Sequence, residues 1–485
     1  MLQDGNYFDG DTGYHLAVAQ LLAEHGFLHE FPWTRMSWLA DHYADKELLF
    51  HVLMVPVAFL DPNLAARLCG TFFGGLALAG MYWILRVERV PRSLLWPLVA
   101  LLSSGAFVHR FALVRPHLLS IPLAMLVLWA SARKNTGWLF VACFLFPLSY
   151  TAWHLPIVLV GIVEFARLIS QRRIEPASIV VTLVGLGLGV VLHPNFPANL
   201  EFFWVQNVDV LFGTAWAGAE GFELGGEFKP YSPMGMVRYM TVPTLMGVVA
   251  ATLGWRVRKE DVLPLAMALA ALAFGVLTLK TQRFIEYQAP VSALALGLAW
   301  TAGPLGGLGR WIGVGSVSKG GPRAGGPTTR WQLLPTGLLL LGFLWTAVLG
   351  TRPIEMLRGR TILFPPKVAV DLQQAIPEGS KVVTCDWEFT GEMMLALPER
   401  SFLVALDPVF FFRAHPEAYR AWFSLVRTPP ERPAAVARDV LDGEYVLCDS
   451  RGKWRQFLSN LDQDPESAFV GRYGYWYVLR LLPAG

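Results

Sequence analysis

Apolar segments of helical length dominate the chain from residue 64 to residue 350. A helix-length window finds ten such runs, each near or a little short of the roughly 20 residues that a membrane-spanning helix needs. Polar stretches separate them, so the pattern predicts a mainly α, polytopic transmembrane bundle with about ten spans. The runs are 64–85, 93–108, 117–131, 138–150, 153–169, 177–192, 235–254, 262–279, 287–303 and 332–350.

A further apolar run, Leu48 to Leu60, precedes the predicted bundle. Its 13 residues are few for a span but suit a helix that lies on the outer membrane surface. A half-buried helix of an ordinary core is the alternative. Counting the run as a span would reverse the sidedness of every later loop, so we interpret it as interfacial.

The polar and apolar composition divides the chain into three regions. Residues 1–60 form a first extracytoplasmic segment, and 61–355 form the bundle, with a Gly-rich basic cytoplasmic linker at 304–331. Residues 356–485 return to globular composition and predict a small extracytoplasmic α/β domain. Its predicted strands are Lys381–Cys385, Phe402–Leu406 and Tyr445–Cys448, its predicted helices are around 413–426 and 433–441, and Phe469–Leu481 predicts a hairpin that turns at Arg472–Gly474.

Composition agrees with a membrane protein. Of the 485 residues 54% are hydrophobic and only 16% are charged, and the formal net charge is +3, so no basic excess indicates nucleic acid. Four cysteines are too few for a disulfide scaffold. Cys385 and Cys448 both end strand-like runs, and the sequence leaves open whether they form a disulfide or two buried thiols.

The distribution of Lys and Arg predicts the orientation. One alternate set of loops contains fourteen of these cations and the other contains five. By the positive-inside rule the first set is cytoplasmic, which leaves the N-terminal segment and the C-terminal domain outside. Residues 1–47 agree, with eight Asp and Glu against two Lys and Arg.

The densest polar cluster predicted outside the membrane is Asp9-Gly10-Asp11-Thr12-Gly13-Tyr14-His15, directly before a helix-like run. Glycine beside two carboxylates allows both to face one centre, which suits a general base or the oxygen ligands of a divalent cation. Asp9 and Asp11 are the candidate ligands if a metal binds. An acidic N-cap and turn is the alternative.

Three more clusters fall in the predicted outer loops. Arg110, Arg115 and His117 lie at the edges of one loop, where arginine forks suit a lipid phosphate, or simply lie among the headgroups. Arg283 and Glu286 begin a later apolar run, as ligands or as an i,i+3 pair. His193-Pro194-Asn195-Phe196-Pro197 opens a long acidic loop; His193 and Asn195 are its candidate binding residues, although turn formation explains most of the motif.

The order of these motifs resembles the C-type glycosyltransferases, multi-spanning enzymes that use polyprenyl-linked sugars, among them oligosaccharyltransferase catalytic subunits and protein O-mannosyltransferases. Asp11-Thr12-Gly13-Tyr14-His15-Leu16 is similar to the first acidic motif of that superfamily. A subgroup of uncharacterised bacterial membrane proteins is more similar still. The motifs shared with that subgroup are Asp9-x-Asp11-x-x-x-His15-Leu16, Arg115-Pro116-His117, His193 to Pro197, Arg283 to Tyr287, and Asp407-Pro408.

The resemblance implies that Asp11 is the catalytic carboxylate of the first loop, with Asp9 as its neighbour. It implies weakly that Trp387 to Gly391 corresponds to an acceptor motif. Two features depart from the superfamily. Its members have a span before the acidic loop, so we expect that the start is misassigned or that this span is lost. The metal-using members have acids in the second outer loop, where this chain has Arg110 and Arg115, so a metal-independent mechanism stays open.

The resemblance therefore predicts an inverting glycosyltransferase of the bacterial inner membrane with an extracytoplasmic active face. Its expected partners are a polyprenyl-linked sugar donor, membrane lipid and an acceptor that is a glycan, a lipid or a protein. His15, Arg110, Arg115, His117, His193, Asn195, Arg283 and Glu286 are the expected substrate-binding residues. A degenerate member that acts as a scaffold and a flippase of lipid-linked glycan are the alternatives; the scarcity of charges within the spans argues against transport.

Overall fold

A computed structural model describes residues 10–209, 226–302, 334–351 and 364–483. The chain forms two compact units. The helical unit takes its described residues from 70–192, 226–302 and 334–351. The mixed unit takes them from 10–69, 193–209 and 364–483, so that it combines the N-terminal segment, the His193 loop and the C-terminal region.

Apolar helices build the helical unit, and each of the ten predicted runs coincides with helix in the structure. Three of these helices, Pro62–Val87, Pro233–Val257 and Leu263–Lys280, are both long and apolar enough to cross a membrane. The first of them begins in the mixed unit. In chain order the helices are α3 (Pro62–Val87), α4 (Leu95–Leu102), α5 (Gly105–Phe111), α6 (His117–Ala132), α7 (Thr136–Ser149), α8 (Leu155–Gln171), α9 (Pro176–Val191), α11 (Pro233–Val257), α12 (Leu263–Lys280), α13 (Ile285–Ala302) and α14 (Leu334–Leu349).

Two serines divide the run that the sequence predicts at 93–108. The hydroxyl of Ser103 donates to the carbonyl of Ala100 at 2.7 Å, at the end of α4. Ser104 has an extended backbone, and its Oγ accepts the N–H of Phe107 at 3.3 Å as the N-cap of α5. The run is therefore two short helices, because local hydroxyl groups satisfy the backbone at the break.

Small residues set the close helix contacts of this unit. On α9, a Cβ added to Gly185 would lie 2.9 Å from the Cβ of Cys143, and one added to Gly189 would collide with the carbonyl of Phe144. Helices in an apolar solvent gain from this close approach because van der Waals contact replaces the hydrophobic effect between them. Glu164 and Arg167 form an i,i+3 ion pair on α8.

The mixed unit surrounds a four-stranded sheet. Its helices are α1 (Gly10–His25), α2 (Leu48–Met54), α10 (Ala198–Trp204), α15 (Pro366–Ala375), α16 (Thr390–Ala396), α17 (Pro408–Ala414), α18 (Pro416–Arg427) and α19 (Arg455–Gln463). Its strands are β1 (Val382–Thr384), β2 (Tyr445–Asp449), β3 (Ser467–Tyr473) and β4 (Trp476–Leu481), in the order β1-β2-β4-β3. The chain is thus mainly helical with a small C-terminal sheet, as predicted.

The sheet confirms two predicted strands and the predicted hairpin. β1 pairs parallel with β2, and β4 pairs antiparallel with both β2 and β3. Cys385 and Cys448 form a disulfide with their Cα atoms 5.3 Å apart, which decides between the two alternatives that the sequence left open.

The predicted strand Phe402–Leu406 is reduced to isolated bridges. Phe402 pairs with Thr34, and Ser401 pairs with Lys381. Leu406 then takes a positive φ of 73°, and Asp407 accepts the N–H of Val409 at 2.9 Å to begin α17. The left-handed residue and the helix cap stop the strand, although its apolar content is strand-like.

The segment predicted as interfacial, 48–60, is helical over Leu48–Met54 and continues as a 3-10 turn over Val55–Val57. Leu48, Phe50 and His51 point into the mixed unit and are buried. Phe59 and Leu60 are exposed. The segment therefore has one packed face and one apolar exposed end, and its interfacial position remains a prediction.

Helix α1 packs unusually closely on α16. A Cβ added to Gly391 would lie 2.5 Å from the carbonyl oxygen of Gly10 and 2.6 Å from the Cβ of Tyr14. A Cβ added to Gly13 would lie 2.9 Å from the backbone of Glu392. Each glycine is needed for this approach because any larger side chain would meet backbone atoms.

Candidate functional site

The structure gathers the predicted site residues into two polar clusters, one in each unit. Arg110, Arg115, His117, Arg283 and Glu286 meet in the helical unit. His15, His193 and Asn195 meet around Asp45 in the mixed unit. Asp11 lies in the first turn of α1 with its side chain partly exposed. Asp9 lies outside the described residues.

The arginine cluster consists of Arg110, Arg115, Arg283, Glu227 and Glu286. Arg110, on α5, donates through Nη2 to Glu286 Oε2 at 2.8 Å and also binds Glu227. Arg115 donates to Glu227 Oε2 at 2.9 Å. Arg283 lies 3.5 Å from Glu227 Oε1 and donates to the hydroxyl of Tyr150 at 3.1 Å.

The exposure of the side chains increases across the arginine cluster, from Glu286 to Arg283. The side chain of Glu286 is fully buried and that of Arg110 is 8% exposed. Those of Arg115, Glu227 and Arg283 are 17%, 22% and 27% exposed. The Arg110–Glu286 pair is therefore the buried part of the cluster. The side chains of Arg115, Glu227 and Arg283 form its rim, which is accessible to solvent.

Glu227 is held as a carboxylate by its surroundings. Burial alone raises the pKa of its carboxyl, but Arg110, Arg283 and Arg115 outweigh burial and bring the pKa well below its ordinary value. Among the described residues, three guanidinium groups and two carboxylates thus form one ion-paired cluster. Guanidinium groups at its partly exposed rim are chemically suited to bind an anion.

Several neighbours orient the buried half of this cluster. His117 Nε2 lies 3.0 Å from the carbonyl of Arg110, and its Nδ1 lies 3.9 Å from Glu286 Oε2. The hydroxyl of Tyr287, the residue after Glu286, lies 2.6 Å from that of Ser120. Sequence reasoning missed Glu227, Tyr150 and Ser120. The acidic character of the loop before α11 was the one signal available for Glu227.

The histidine cluster consists of His15, Asp45, Glu47 and His51, all of them buried. His15 Nδ1 lies 2.8 Å from His51 Nε2, and His51 Nδ1 lies 2.8 Å from the carboxylate of Asp45. Glu47 Oε2 lies 4.0 Å from His15 Nδ1. The sequence predicted only His15 among these four. The i,i+4 spacing of Glu47 and His51 at the start of a helix was the signal that could have added both.

Two residues of the His193 motif hydrogen-bond the backbone of Asp45. Asn195 Oδ1 accepts the N–H of Asp45 at 3.2 Å, and His193 Nε2 donates to the carbonyl of Asp45 at 3.0 Å. Asn195 also donates to the carbonyl of Leu28 at 2.6 Å. Burial lowers the pKa of His193, although Asp45 opposes that effect, so the imidazole is neutral at physiological pH. These contacts make the motif a support for the histidine cluster.

Aromatic rings enclose the histidine cluster. The ring of Phe50 lies 5.1 Å from that of His15, and the ring of Tyr14 lies 6.0 Å from that of His51. The Tyr14 hydroxyl lies 3.2 Å from that of Tyr43. Burial, followed by Asp45 and Glu47, raises the pKa of Tyr14 well above its ordinary value, so that this hydroxyl stays neutral.

The segment Trp387 to Gly391 leads into α16 and packs on α1. Glu388 is exposed, and its backbone carbonyl faces Gly10. Gly391 contacts Gly10 and Tyr14, as described above. This contact joins the weakly predicted acceptor motif to the helix that carries Asp11, while an acceptor role for the motif stays a prediction.

No protein-family model matches the chain, and no curated protein matches it by sequence. Solved structures do match. The apo oligosaccharyltransferase of Archaeoglobus fulgidus is 14% identical with a TM-score of 0.60, and the match covers 97% of this chain and 70% of that one. The structure of AglB from the same organism, in complex with an inhibitory peptide and a dolichol-phosphate, is 13% identical with a TM-score of 0.55, covering 98% and 70%.

ArnT from Cupriavidus metallidurans bound to undecaprenyl phosphate is also similar, with 14% identity and a TM-score of 0.53 over 99% of this chain and 95% of that one. At such identities the likeness establishes the fold. Together with the apolar helices it indicates a membrane location. The resemblance inferred from the sequence motifs is thereby confirmed for the architecture, and the chain has the fold of the C-type glycosyltransferases.

Proposed function

We propose that the chain is a multi-pass glycosyltransferase of the bacterial inner membrane. It transfers a sugar, with inversion, from a polyprenyl-phosphate-type donor to an extracytoplasmic acceptor. The fold supports this proposal, since a similar oligosaccharyltransferase structure contains dolichol-phosphate and a similar ArnT structure contains undecaprenyl phosphate. The disulfide Cys385–Cys448 supports an oxidising, extracytoplasmic location for the mixed unit.

The observation that carries the proposal is the rim of the arginine cluster. Arg115 and Arg283 are partly exposed and lie beside the buried Arg110–Glu286 pair. A polyprenyl phosphate acquires negative charge when the sugar leaves, and preorganised guanidinium groups lower the energy of that charge. The cluster therefore suits the leaving phosphate of a lipid-linked sugar.

Glu227 already accepts hydrogen bonds from the guanidinium groups that such a phosphate would bind. Its carboxylate accepts from Arg115 at 2.9 Å and also binds Arg110. A phosphate that binds at the rim replaces Glu227 on these guanidinium groups, and the two anions compete. The glutamate thus keeps the arginines paired between turnovers, when an unpaired buried charge would be costly.

Asp11 is proposed as the general base. It lies one helical turn before His15 on α1, and its charge contributes to the raised pKa of Tyr14. In the proposed step, an acceptor oxygen or nitrogen forms a bond to the anomeric carbon while the bond to the phosphate oxygen breaks. Asp11 takes the acceptor proton, and the electron pair of the broken bond stays on the polyprenyl phosphate. His15, His193 and Asn195 support Asp11 indirectly, because their hydrogen bonds stabilise the fold of the mixed unit.

The role of Asp11 is tested by transfer of radiolabelled sugar from polyprenyl phosphate in membranes that contain the full chain. Asp11→Asn should lower transfer by about 10²–10⁴-fold, the usual contribution of a general base, with an unchanged protein level. Asp61→Asn is the matched control, because Asp61 is exposed and its cap of the Asn63 N–H is one that asparagine can also make. Full transfer by Asp11→Asn would refute the assignment.

The phosphate site is tested separately, by binding of undecaprenyl phosphate to the purified chain. Arg115→Gln should weaken binding by about tenfold or more because a charge-assisted contact is lost. Glu227→Gln should strengthen binding because it removes the competing anion. The control is Arg173→Gln, at an exposed arginine that contacts only Gln171 among the hydrogen-bond partners described. Equal affinity in all four proteins would refute the site. Binding of the lipid without any transfer by the wild type would instead favour the flippase or scaffold alternatives.

A further inference from the structure

We propose that His15, Glu47 and His51 form a binding site for one divalent transition-metal ion, with Zn²⁺ as the best match. One donor atom from each residue lies within 4.8 Å of the other two, and all three residues are buried. His15 comes from α1, Glu47 is the N-cap residue of α2, and His51 follows one turn later. Two helices thus bring three ligands to one point.

The distances between the donor atoms bracket those of a tetrahedral site. Bonds of 2.0–2.2 Å to zinc place neighbouring ligand atoms about 3.3 Å apart. Here His15 Nδ1 lies 2.8 Å from His51 Nε2 and 4.0 Å from Glu47 Oε2. Small side-chain rotations suffice to equalise these separations, so a metal requires no rearrangement of the two helices.

Within the part of the chain that the structure describes, one carboxylate oxygen of the cluster lacks a hydrogen bond. Glu47 Oε2 is inaccessible to solvent and has no hydrogen-bond partner among those residues, and Glu47 as a whole is 4% exposed. Its other oxygen lies 3.5 Å from the ammonium of Lys46. Burying an anionic oxygen without a partner is unfavourable, and such atoms in native proteins call for an explanation. A cation between Glu47 and the two imidazoles supplies the missing partner.

Asp45 gives His51 the tautomer that a metal needs. Both of its carboxylate oxygens lie 2.8 Å from His51 Nδ1, so the proton of the imidazole is on Nδ1 and the lone pair on Nε2 faces His15. A carboxylate behind a metal-binding histidine is the usual outer support of zinc sites. Asn195 and His193 in turn hydrogen-bond the backbone of Asp45, so the His193 motif helps to orient the imidazole of His51.

The chemistry of the ligands selects the class of metal. Two imidazoles and one carboxylate favour Zn²⁺ and its neighbours in the first transition row, whereas Mg²⁺ and Ca²⁺ prefer oxygen alone. The charges of Glu47 and Asp45 neutralise a divalent ion in this enclosed position. Without a metal, the two imidazoles share one proton across the 2.8 Å separation, and that state is the competing interpretation.

Metal content of the purified full-length chain in detergent tests the proposal without any substrate, so its outcome is independent of transfer activity. The chain is stripped with a chelator, exposed to Zn²⁺ and freed of excess. We expect about one zinc per chain. Glu47→Gln and His51→Ala should lower the affinity by at least about 100-fold, and Asp45→Asn by about 10–100-fold, as for an outer support. The matched control is His42→Ala, since His42 is an exposed histidine of the same segment.

Cobalt gives a readout that needs no variant, in case a substitution prevents folding. Co²⁺ added to the stripped wild-type chain should bind one to one and give the intense visible absorption of a four- or five-coordinate site, and Zn²⁺ should displace it. Less than a tenth of an equivalent of bound metal, a weak six-coordinate spectrum, or undiminished affinity in a folded Glu47→Gln variant would each overturn the proposal.

Discussion

Five charged side chains meet in the arginine cluster, whereas the histidine cluster combines two imidazoles with two carboxylates. Guanidinium groups stay protonated at every physiological pH, so the first cluster is a permanent arrangement of ion pairs. Imidazoles and carboxylates are common metal ligands, so the second cluster has the donor atoms of the proposed metal site. The helical unit thus pairs its charges among its own side chains, whereas the mixed unit groups donor atoms that suit a cation.

Arg110→Met is expected to have the largest effect. It tests how far the stability of the helical unit depends on its permanent ion pairs. The substitution leaves Glu286 buried without its principal partner and should lower the free energy of unfolding by about 3–5 kcal/mol. Thermal unfolding in detergent measures the loss. Arg110→Met combined with Glu286→Gln removes both charges and should restore most of the stability. A single variant as stable as the double one would show that the pair is not coupled.

The disulfide Cys385–Cys448 provides the corresponding covalent constraint of the mixed unit. It joins residues 63 positions apart. Serine at both positions should cost about 4 kcal/mol through the entropy of the unfolded loop. Chemical denaturation with and without reductant measures this loss, and the double serine variant should not respond to reductant. Equal denaturation midpoints for the reduced and oxidised wild type would contradict the expected stabilisation.

Asp407→Asn should make the mixed unit less sensitive to pH. Burial raises the pKa of the Asp407 carboxyl to about 6, against an ordinary value near 4, despite the opposing N–H of Val409 and charge of Lys46. A raised folded pKa adds stability below pH 4 that is lost as the pH rises through 6. Asparagine keeps the helix cap without ionising, so the variant should gain about 2–3 kcal/mol at pH 8 and nothing at pH 4.

Denaturation midpoints at pH 4, 6 and 8 measure this difference. Asp61→Asn replaces an exposed carboxylate that also caps a helix, and its stability relative to the wild type should be nearly independent of pH. A constant difference between Asp407→Asn and the wild type across the three pH values would show that Asp407 ionises normally in the folded protein.

Gly391→Ala should produce the smallest of these effects. The new methyl group would lie 2.5 Å from the Gly10 carbonyl and 2.6 Å from the Cβ of Tyr14, so α16 must move away from α1. Such overpacking costs about 1–3 kcal/mol. Gly75→Ala on α3 is the control, because nothing lies within 4 Å of its added Cβ and alanine favours the helix by about 0.5–1 kcal/mol. Thermal unfolding compares the two, and a Gly391→Ala variant as stable as Gly75→Ala would contradict the close packing.

Local patterns in the sequence predicted most of the fold. Each of the ten apolar runs contains helix among its described residues, and β1, β2 and the β3–β4 hairpin lie where short apolar runs and turn signals indicated them. The strand at Phe402–Leu406 was wrong over most of its length, because strand propensity does not anticipate a left-handed Leu406 or a helix cap at Asp407. Whether the apolar helices number ten spans remains a prediction.

The candidate residues were easier to predict than their partners. Histidine and arginine are conspicuous in apolar sequence, so the residues themselves stood out. Glu227 and Glu47 did not, because a carboxylate in a polar loop is ordinary until its burial and its neighbours are known. Asp45 and Asn195 are 150 positions apart, and no local pattern predicts that they hydrogen-bond.

The glycine contacts between α1 and α16 have a mechanical consequence. At Gly10, Gly13 and Gly391 the two segments approach so closely that an added Cβ would meet backbone atoms, and the side-chain atoms nearest to Gly13 and Gly391 belong to Glu392 and Tyr14. We therefore expect a displacement of the Trp387–Gly391 segment to move the helix that carries Asp11 and His15. A molecule that binds to this segment would therefore displace Asp11 and His15 together, because both lie on the same helix.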